Sequence, residues 1–156
     1  MDWELISSWK IQAIKRQQDA VHARHSMSSL LKRKEVAAVK TILVVEDDAD
    51  IGDFIVQVLT QETPHHPILV ADGKQALEIT RKLIPDLFII DYLLPHMNGI
   101  EHYDILQSRK ELAAIPTIII SAHLPRQEII KRKIIGFKKL FELHELLDTI
   151  QETFVS

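Results

Sequence analysis

The chain has 156 residues, 46% hydrophobic and 26% charged, with no cysteine and a formal net charge of −3. That length and balance fit one globular domain with roughly forty residues to spare. The missing cysteines exclude disulfides, thiolate catalysis and cysteine-based zinc sites. No apolar run reaches the roughly 18 residues of a membrane span. Lys10, Lys15 and Arg16 interrupt the N-terminus where a secretory signal would need an apolar block, so a cytoplasmic location is expected.

Charge divides the chain. Residues 1–40 hold eight Lys/Arg and four Asp/Glu, while residues 41–156 hold eleven and eighteen, so balances of +4 and −7 make up the −3. A basic extension (residues 1–40) ahead of an acidic domain (residues 41–156) is predicted. The acidic domain would repel nucleic-acid phosphates, so no direct nucleic-acid binding is expected. Within the extension, Trp3, Ile6, Trp9, Ala13 and Arg16 share one helical stripe, with Leu5 and Ile14 near its edge. It reads either as a partly helical segment for a partner, for self-association or for an anionic membrane surface, or as a mobile extension without a role, left by cloning or by the choice of start site. The stretch from His22 to Lys34 reads as a polar, basic linker. His22 with His25, and His65 with His66, lack supporting carboxylates and are weak metal signals.

From Thr41 onward, short Ile/Val-rich runs alternate with segments of helical spacing. The runs are Ile42–Val45, Ile68–Val70, Leu87–Ile90 and Thr117–Ile120, apolar on both faces as strands between two helix layers should be. The first helix carries Ile51, Phe54, Ile55, Val58 and Leu59 at i, i+3, i+4, i+7 and i+8. Asp72-Gly73 marks a turn, and the second helix then follows Ala76, Leu77, Thr80, Leu83 and Ile84. The third spans about Asn98–Arg109, with Ile100, Tyr103, Ile105 and Leu106 apolar. A fourth covers about Arg126–Lys133, and a short fifth strand is placed at Ile134–Lys138. The fifth helix runs from Leu143 to Phe154, with Leu146, Leu147 and Ile150 on its apolar side. Alternation of this kind predicts an α/β fold, a doubly wound five-stranded parallel sheet between helix layers. Sites in such folds lie beyond the carboxyl ends of the strands.

At those ends stand Glu46-Asp47-Asp48, Asp91 and Ser121. Carboxylates gathered from two strand ends repel one another, and a hard divalent cation that takes oxygen ligands resolves the conflict. Asp48 is instead expected to cap the first helix, where a carboxylate helps. Asp91 directly follows Leu87-Phe88-Ile89-Ile90, where an acid without a task would spoil a buried strand.

These blocks resemble the receiver domains of response regulators, of CheY-like, flavodoxin-like fold. Ile42 to Asp48 is similar to the first strand and acidic pair of that family. Pro85 to Gly99 resembles its third strand and following loop, and Ile115 to Ala122 its fourth strand. Lys139-Leu140-Phe141 with Glu145-Leu146-Leu147 is similar to the lysine segment and last helix. The resemblance covers about residues 41–154. It implies a three-layer α/β/α receiver in which Asp91 accepts a phosphoryl group and Mg²⁺ is held by Glu46, Asp47, Asp91 and the Leu93 carbonyl. Ser121 and Lys139 would contact the phosphoryl group. A sensor histidine kinase or phosphotransfer protein would be the donor, and a switched protein contact, with a possible homodimer, the output. Such a module is a phospho-acceptor and not an enzyme acting on an outside substrate. No DNA-binding module is expected after the fifth helix, so output is expected through protein contact.

Three departures stand out. Ser121 and Lys139 are 18 residues apart, closer than in most of the family. Gly136 falls where a receiver usually places its switch aromatic, and Phe137 is one residue off, which reverses its face. Leu140 replaces the proline after the lysine, making a cis bond there costly by about 2.5–4 kcal/mol; Lys138 is a fallback for Lys139. His123, two residues after Ser121, is expected near the site, most simply as an exposed loop residue. The competing readings are a degenerate receiver that binds protein without phosphorylation, an aspartate-nucleophile phosphatase and a flavin module. The phosphatase would need a second Asp at Leu93, and the flavin phosphate would be repelled by Glu46, Asp47 and Asp48.

Overall fold

In the computed structural model, residues 11, 38–138 and 143–155 are described. The expected N-terminal stripe with Trp3, Ile6 and Trp9, the pair His22 and His25, and Lys139 all lie outside the described residues. None of the described helices is long and apolar enough to cross a membrane.

Five strands form one parallel sheet: β1 (Thr41–Val45), β2 (His66–Val70), β3 (Leu87–Asp91), β4 (Thr117–Ser121) and β5 (Ile135–Lys138). Their order is β2-β1-β3-β4-β5, so the winding reverses between β1 and β3, the position at whose carboxyl ends sites of such folds generally lie. β3 and β4 are buried along their whole length, as continuous apolar runs between two layers must be. Four helices accompany the sheet in the unit Val39–Lys138: α1 (Ala49–Glu62), α2 (Gly73–Ile79), α3 (Gly99–Ser108) and α4 (Arg126–Arg132).

Strand alternation assigns the faces. Leu43, Val45, Phe88 and Ile90 form one apolar cluster with Ala76 of α2 and Leu106 of α3. Ile119 joins Ile100, Ile129 and Ile134 in another, against which Tyr92, Tyr103 and Leu124 pack. The helices α2, α3 and α4 therefore share one face. On the other, α1 presses so close to β2 that a Cβ on Gly52 would stand 2.7 Å from Leu69 Cδ1, and Leu69 pairs with Val44. The last helix, α5 (Leu143–Val155), belongs to a second unit. It buries Leu143, Leu146, Leu147 and Ile150, a single i, i+3, i+4, i+7 stripe.

Several boundaries differ from the sequence reading. β2 starts two residues earlier, at His66, because Pro67 is tolerated on an edge strand that needs no donor on its outer side. α2 stops at Ile79 instead of continuing to Ile84, which is exposed. Thr80 caps it, its hydroxyl bonding Ala76 O at 2.9 Å, and Arg109 Nη1 donates to Thr80 Oγ1 at 2.9 Å. The apolar spacing ran on past the point where these bonds had satisfied the last turn. Ile134 lies in the α4 cluster rather than in β5, and Lys133 ends α4 in the left-handed conformation at φ 56°.

The amino rim of the sheet is stitched by side chains. Lys40 N–H donates to His65 Nδ1 at 3.1 Å and Thr41 N–H to Asp86 Oδ2 at 2.8 Å. Burial, with the Lys40 charge nearby, lowers the His65 pKa, while Asp86 opposes the shift; a neutral ring is what acceptance at Nδ1 requires.

Candidate functional site

The register sets the site. Val45 pairs with Ile90 and Ile120 with Asp91, so Glu46, immediately after β1, emerges beside the end of β3. Glu46 and Asp91 are each 3% exposed, whereas Asp47 is open to solvent. One carboxylate oxygen from each of the three can be chosen so that all lie within 4.8 Å of one another. At that separation each fully ionised pair repels by about 3–4 kcal/mol for an effective dielectric of 20. The donor set is all oxygen, with two carboxylates sheltered and one reaching into water. That suits a small hard cation retaining part of its water shell, and the residues present fit Mg²⁺.

Local backbone chemistry holds these groups. Asp48 caps α1, its Oδ1 accepting from Asp50 N at 3.0 Å and Ile51 N at 3.1 Å, as expected for it. Its own N–H donates to Glu46 Oε1 at 3.2 Å, tying the helix start to the buried acid. After β3, Leu93 N–H donates to Asp91 Oδ1 at 3.4 Å, a long contact. Leu93 forms an isolated antiparallel bridge with Asn98, and Asn98 and Glu101 cap α3 reciprocally. Gly99 N–H donates to Tyr92 O at 2.7 Å. A Cβ on Gly99 would sit 2.9 Å from Asp91 O and 3.0 Å from Tyr92 Cα. Only glycine lets α3 come this close to the backbone of the central acid. His96 turns the intervening loop at φ 69°, a region histidine enters more readily than most residues.

Ser121 is 2% exposed, at the end of β4. Its hydroxyl donates to His123 O at 3.0 Å and accepts from His123 N–H at 3.1 Å, a side-chain turn that leaves His123 itself exposed. Ser121 pairs with Lys138 and Ile119 with Gly136, so by alternation Lys138 falls with Gly136 on the α4 side. Phe137 pairs with Ile120 and takes the opposite face, as the one-residue offset implied. A Cβ on Gly136 would stand 2.9 Å from Ile129 Cδ1. An isoleucine of α4 therefore occupies the space above Gly136 of β5.

Three features escaped the sequence reading. The close approach at Gly99 carries no local signal beyond the motif it belongs to. Arg132 joins α4 to α3 through Asp104, which helical spacing does not report. His102 of α3 is fully buried beside Gly73 and Met97. Burial pushes its pKa down to about 4, the Asp72 carboxylate opposing the shift.

Residues 42–151 match the response regulator receiver domain family. The chain belongs to that family. Receiver domains are the signalling phospho-acceptors of two-component systems. Among curated relatives, DNA-binding response regulator MtrA of Mycolicibacterium paratuberculosis is 34% identical over 89 residues, 57% of this chain and 38% of that protein. Hybrid signal transduction histidine kinase D of Dictyostelium discoideum is 32% identical over 81 residues, 52% of this chain and 5% of that protein. The matches thus span well under half of these relatives. Chemotaxis protein CheY4 of Vibrio cholerae superposes with a TM-score of 0.68 at 25% identity, over 74% of this chain and 99% of that one. The receiver domain of sensor histidine kinase PA1611 of Pseudomonas aeruginosa PAO1, with a magnesium ion coordinated in its active-site cleft, gives a TM-score of 0.66 at 23% identity. It covers 76% of this chain and all of that one, a likeness of fold.

Proposed function

We propose that residues 41–156 act as a phosphorylatable receiver whose acceptor is Asp91, with a cation site made by Glu46, Asp47, Asp91 and the Leu93 carbonyl. The observation that carries this reading is the three-carboxylate cluster within 4.8 Å at the winding reversal of the sheet. Bound there, Mg²⁺ would neutralise the carboxylates and the charge of an incoming phosphoryl group. The donor is a phosphohistidine of a sensor kinase or phosphotransfer protein; histidine kinases are among the relatives and neighbours named above. An Asp91 carboxylate oxygen forms the new bond to phosphorus as the phosphorus–nitrogen bond breaks, and the electron pair leaves on the imidazole nitrogen.

The sheltered position of Asp91 limits access by hydrolytic water, and the Gly99 and Asn98 contacts hold its loop in place. Ser121 is the group that meets the phosphoryl oxygens, exchanging its bonds to His123 for that contact. Lys139 supplies the second positive charge. Lys138, whose backbone pairs with Ser121, is the fallback for that role. Output follows from about −1.5 to −2 of new charge at one strand end, which biases neighbouring loops toward or away from a protein partner or a second copy. The −7 balance of residues 41–156 argues for protein rather than nucleic acid as that contact.

Incubation with Mg²⁺ and acetyl phosphate, followed by intact-mass measurement, should show one added phosphoryl group. Chelation of the metal, or Asp91→Asn, should abolish it. Labelling that persists in Asp91→Asn would refute the site. A protein that never labels yet retains a partner would favour the phosphorylation-independent reading.

A further inference from the structure

The two ends of α4 are held very differently. At its start, Pro125 occupies the capping position and no side chain caps the helix. Immediately upstream lies the Ser121–His123 turn, held by the two bonds of one hydroxyl. At its end, Lys133 closes the helix in the left-handed conformation, and Ile134 N–H returns to Ile129 O at 3.1 Å. There Arg132 lays its guanidinium fork on Asp104 of α3, Nε to Oδ1 at 2.7 Å and Nη2 to Oδ2 at 2.8 Å. The remaining Nη1 meets the Glu128 carboxylate, and Glu128 O at 3.3 Å. One side chain therefore binds the last turn of α4 both to its own first turn and to α3. A bidentate fork fixes orientation as well as distance. Ile129 above Gly136 adds a packed contact beneath the same helix.

We infer that Arg132 and Asp104 form a pivot, so that α4 answers a change at Ser121 by moving at its amino end while its carboxyl end stays fixed to α3. This rests on the proposed function for the trigger, though not for the geometry. If the Ser121 hydroxyl leaves His123, the turn that feeds the uncapped end loosens, and Leu124, packed in the α4 cluster, carries the change into the helix. At the far end the fork resists rotation. Signals would thus appear as a swing of the first turn instead of a shift of the whole helix.

Amide hydrogen exchange on the 156-residue chain tests this. Mg²⁺ is present throughout, with and without beryllofluoride, and fluorine NMR of the same samples shows whether the mimic has bound. Bound mimic should alter exchange from His123 to Glu128 and leave Lys131 to Ile134 unchanged. In Arg132→Gln, exchange from Lys131 to Ile134 should rise by roughly tenfold, and the response should spread along α4; Arg132→Lys, which keeps charge but not the fork, should resemble Arg132→Gln. Ser121→Ala tests the pivot without any ligand and should loosen the amino end alone. Equal responses at both ends of α4 in the wild type, or an unchanged pattern in Arg132→Gln, would overturn the pivot. Should the mimic fail to bind, the phosphorylation reading falls, and Ser121→Ala alone decides: loosening at both ends, or at neither, rejects the pivot.

Discussion

The carboxyl rim at β1 and β3 and the edge region of α4 and β5 belong to one sheet but are built differently. At the centre, β1 and β3 are each paired on both sides. Glu46 and Asp91 are sheltered, Asp48 caps a helix while bonding Glu46, and Gly99 admits α3 against the Asp91 backbone. At the edge, β5 pairs with β4 alone among the described strands, no side chain caps the amino end of α4, and Gly136 lies beneath Ile129. The contrast teaches that side chains which converge within a few ångströms are carried by strands held on both sides, while the edge of the same sheet is fixed by fewer contacts. Chemistry needs carboxylates within a few ångströms of one ion, whereas a readout needs only an element with two accessible positions.

Mutation can break or sharpen that contrast. The largest effect is expected at the centre: Asp91→Asn should remove labelling entirely, and Asp47→Asn should weaken Mg²⁺ binding by at least about tenfold, or 1.4 kcal/mol, in a fluorescence titration. Gly99→Ala comes next, because its Cβ would meet backbone atoms that cannot step aside. A loss of roughly 3 kcal/mol in urea unfolding, with weaker Mg²⁺ binding, is the expected pair of results. If Gly99→Ala left both unchanged, the rim would be no more exacting than the edge.

His102 gives a pH-dependent test of similar size. Its folded pKa of about 4 lies below the ordinary 6.5, so the unfolded chain binds the proton more readily. Stability is therefore full above about pH 6.5 and falls as the pH drops toward 4, by about 3 kcal/mol in total. His102→Leu should flatten that part of the stability profile, measured by urea unfolding across pH. The smallest effect is expected at the edge. Gly136→Ala would press on Ile129 Cδ1, the far end of a side chain that can turn, and adding a Cβ also restricts the unfolded chain. A change within about 1 kcal/mol is expected, and a larger loss would show that the edge is as tightly packed as the rim.

Most of the fold was legible because a buried parallel strand can be little else than an unbroken Ile/Val run, as β3 and β4 show. The acidic cluster was legible for a related reason: Asp91 ends such a run, where only a task justifies it. Periodicity misled at α2, since the apolar spacing from Ala76 to Ile84 continued after Thr80 and Arg109 had closed the helix. Nothing in the local pattern could announce that His102 would be buried or that Arg132 would reach Asp104, because both depend on how α3 meets its neighbours.

The stitched amino rim has a practical consequence. Lys40 is held there through His65, and the five residues of β1 separate that rim from Asp91's end by about 16 Å at the usual rise of a strand. The sheet thus has two distinct ends, the acidic rim and the Lys40–His65 rim. A fluorophore or tether fixed at Lys40 would ride on the rigid frame without crowding the acceptor, giving a stationary reference from which displacement of α4 could be measured.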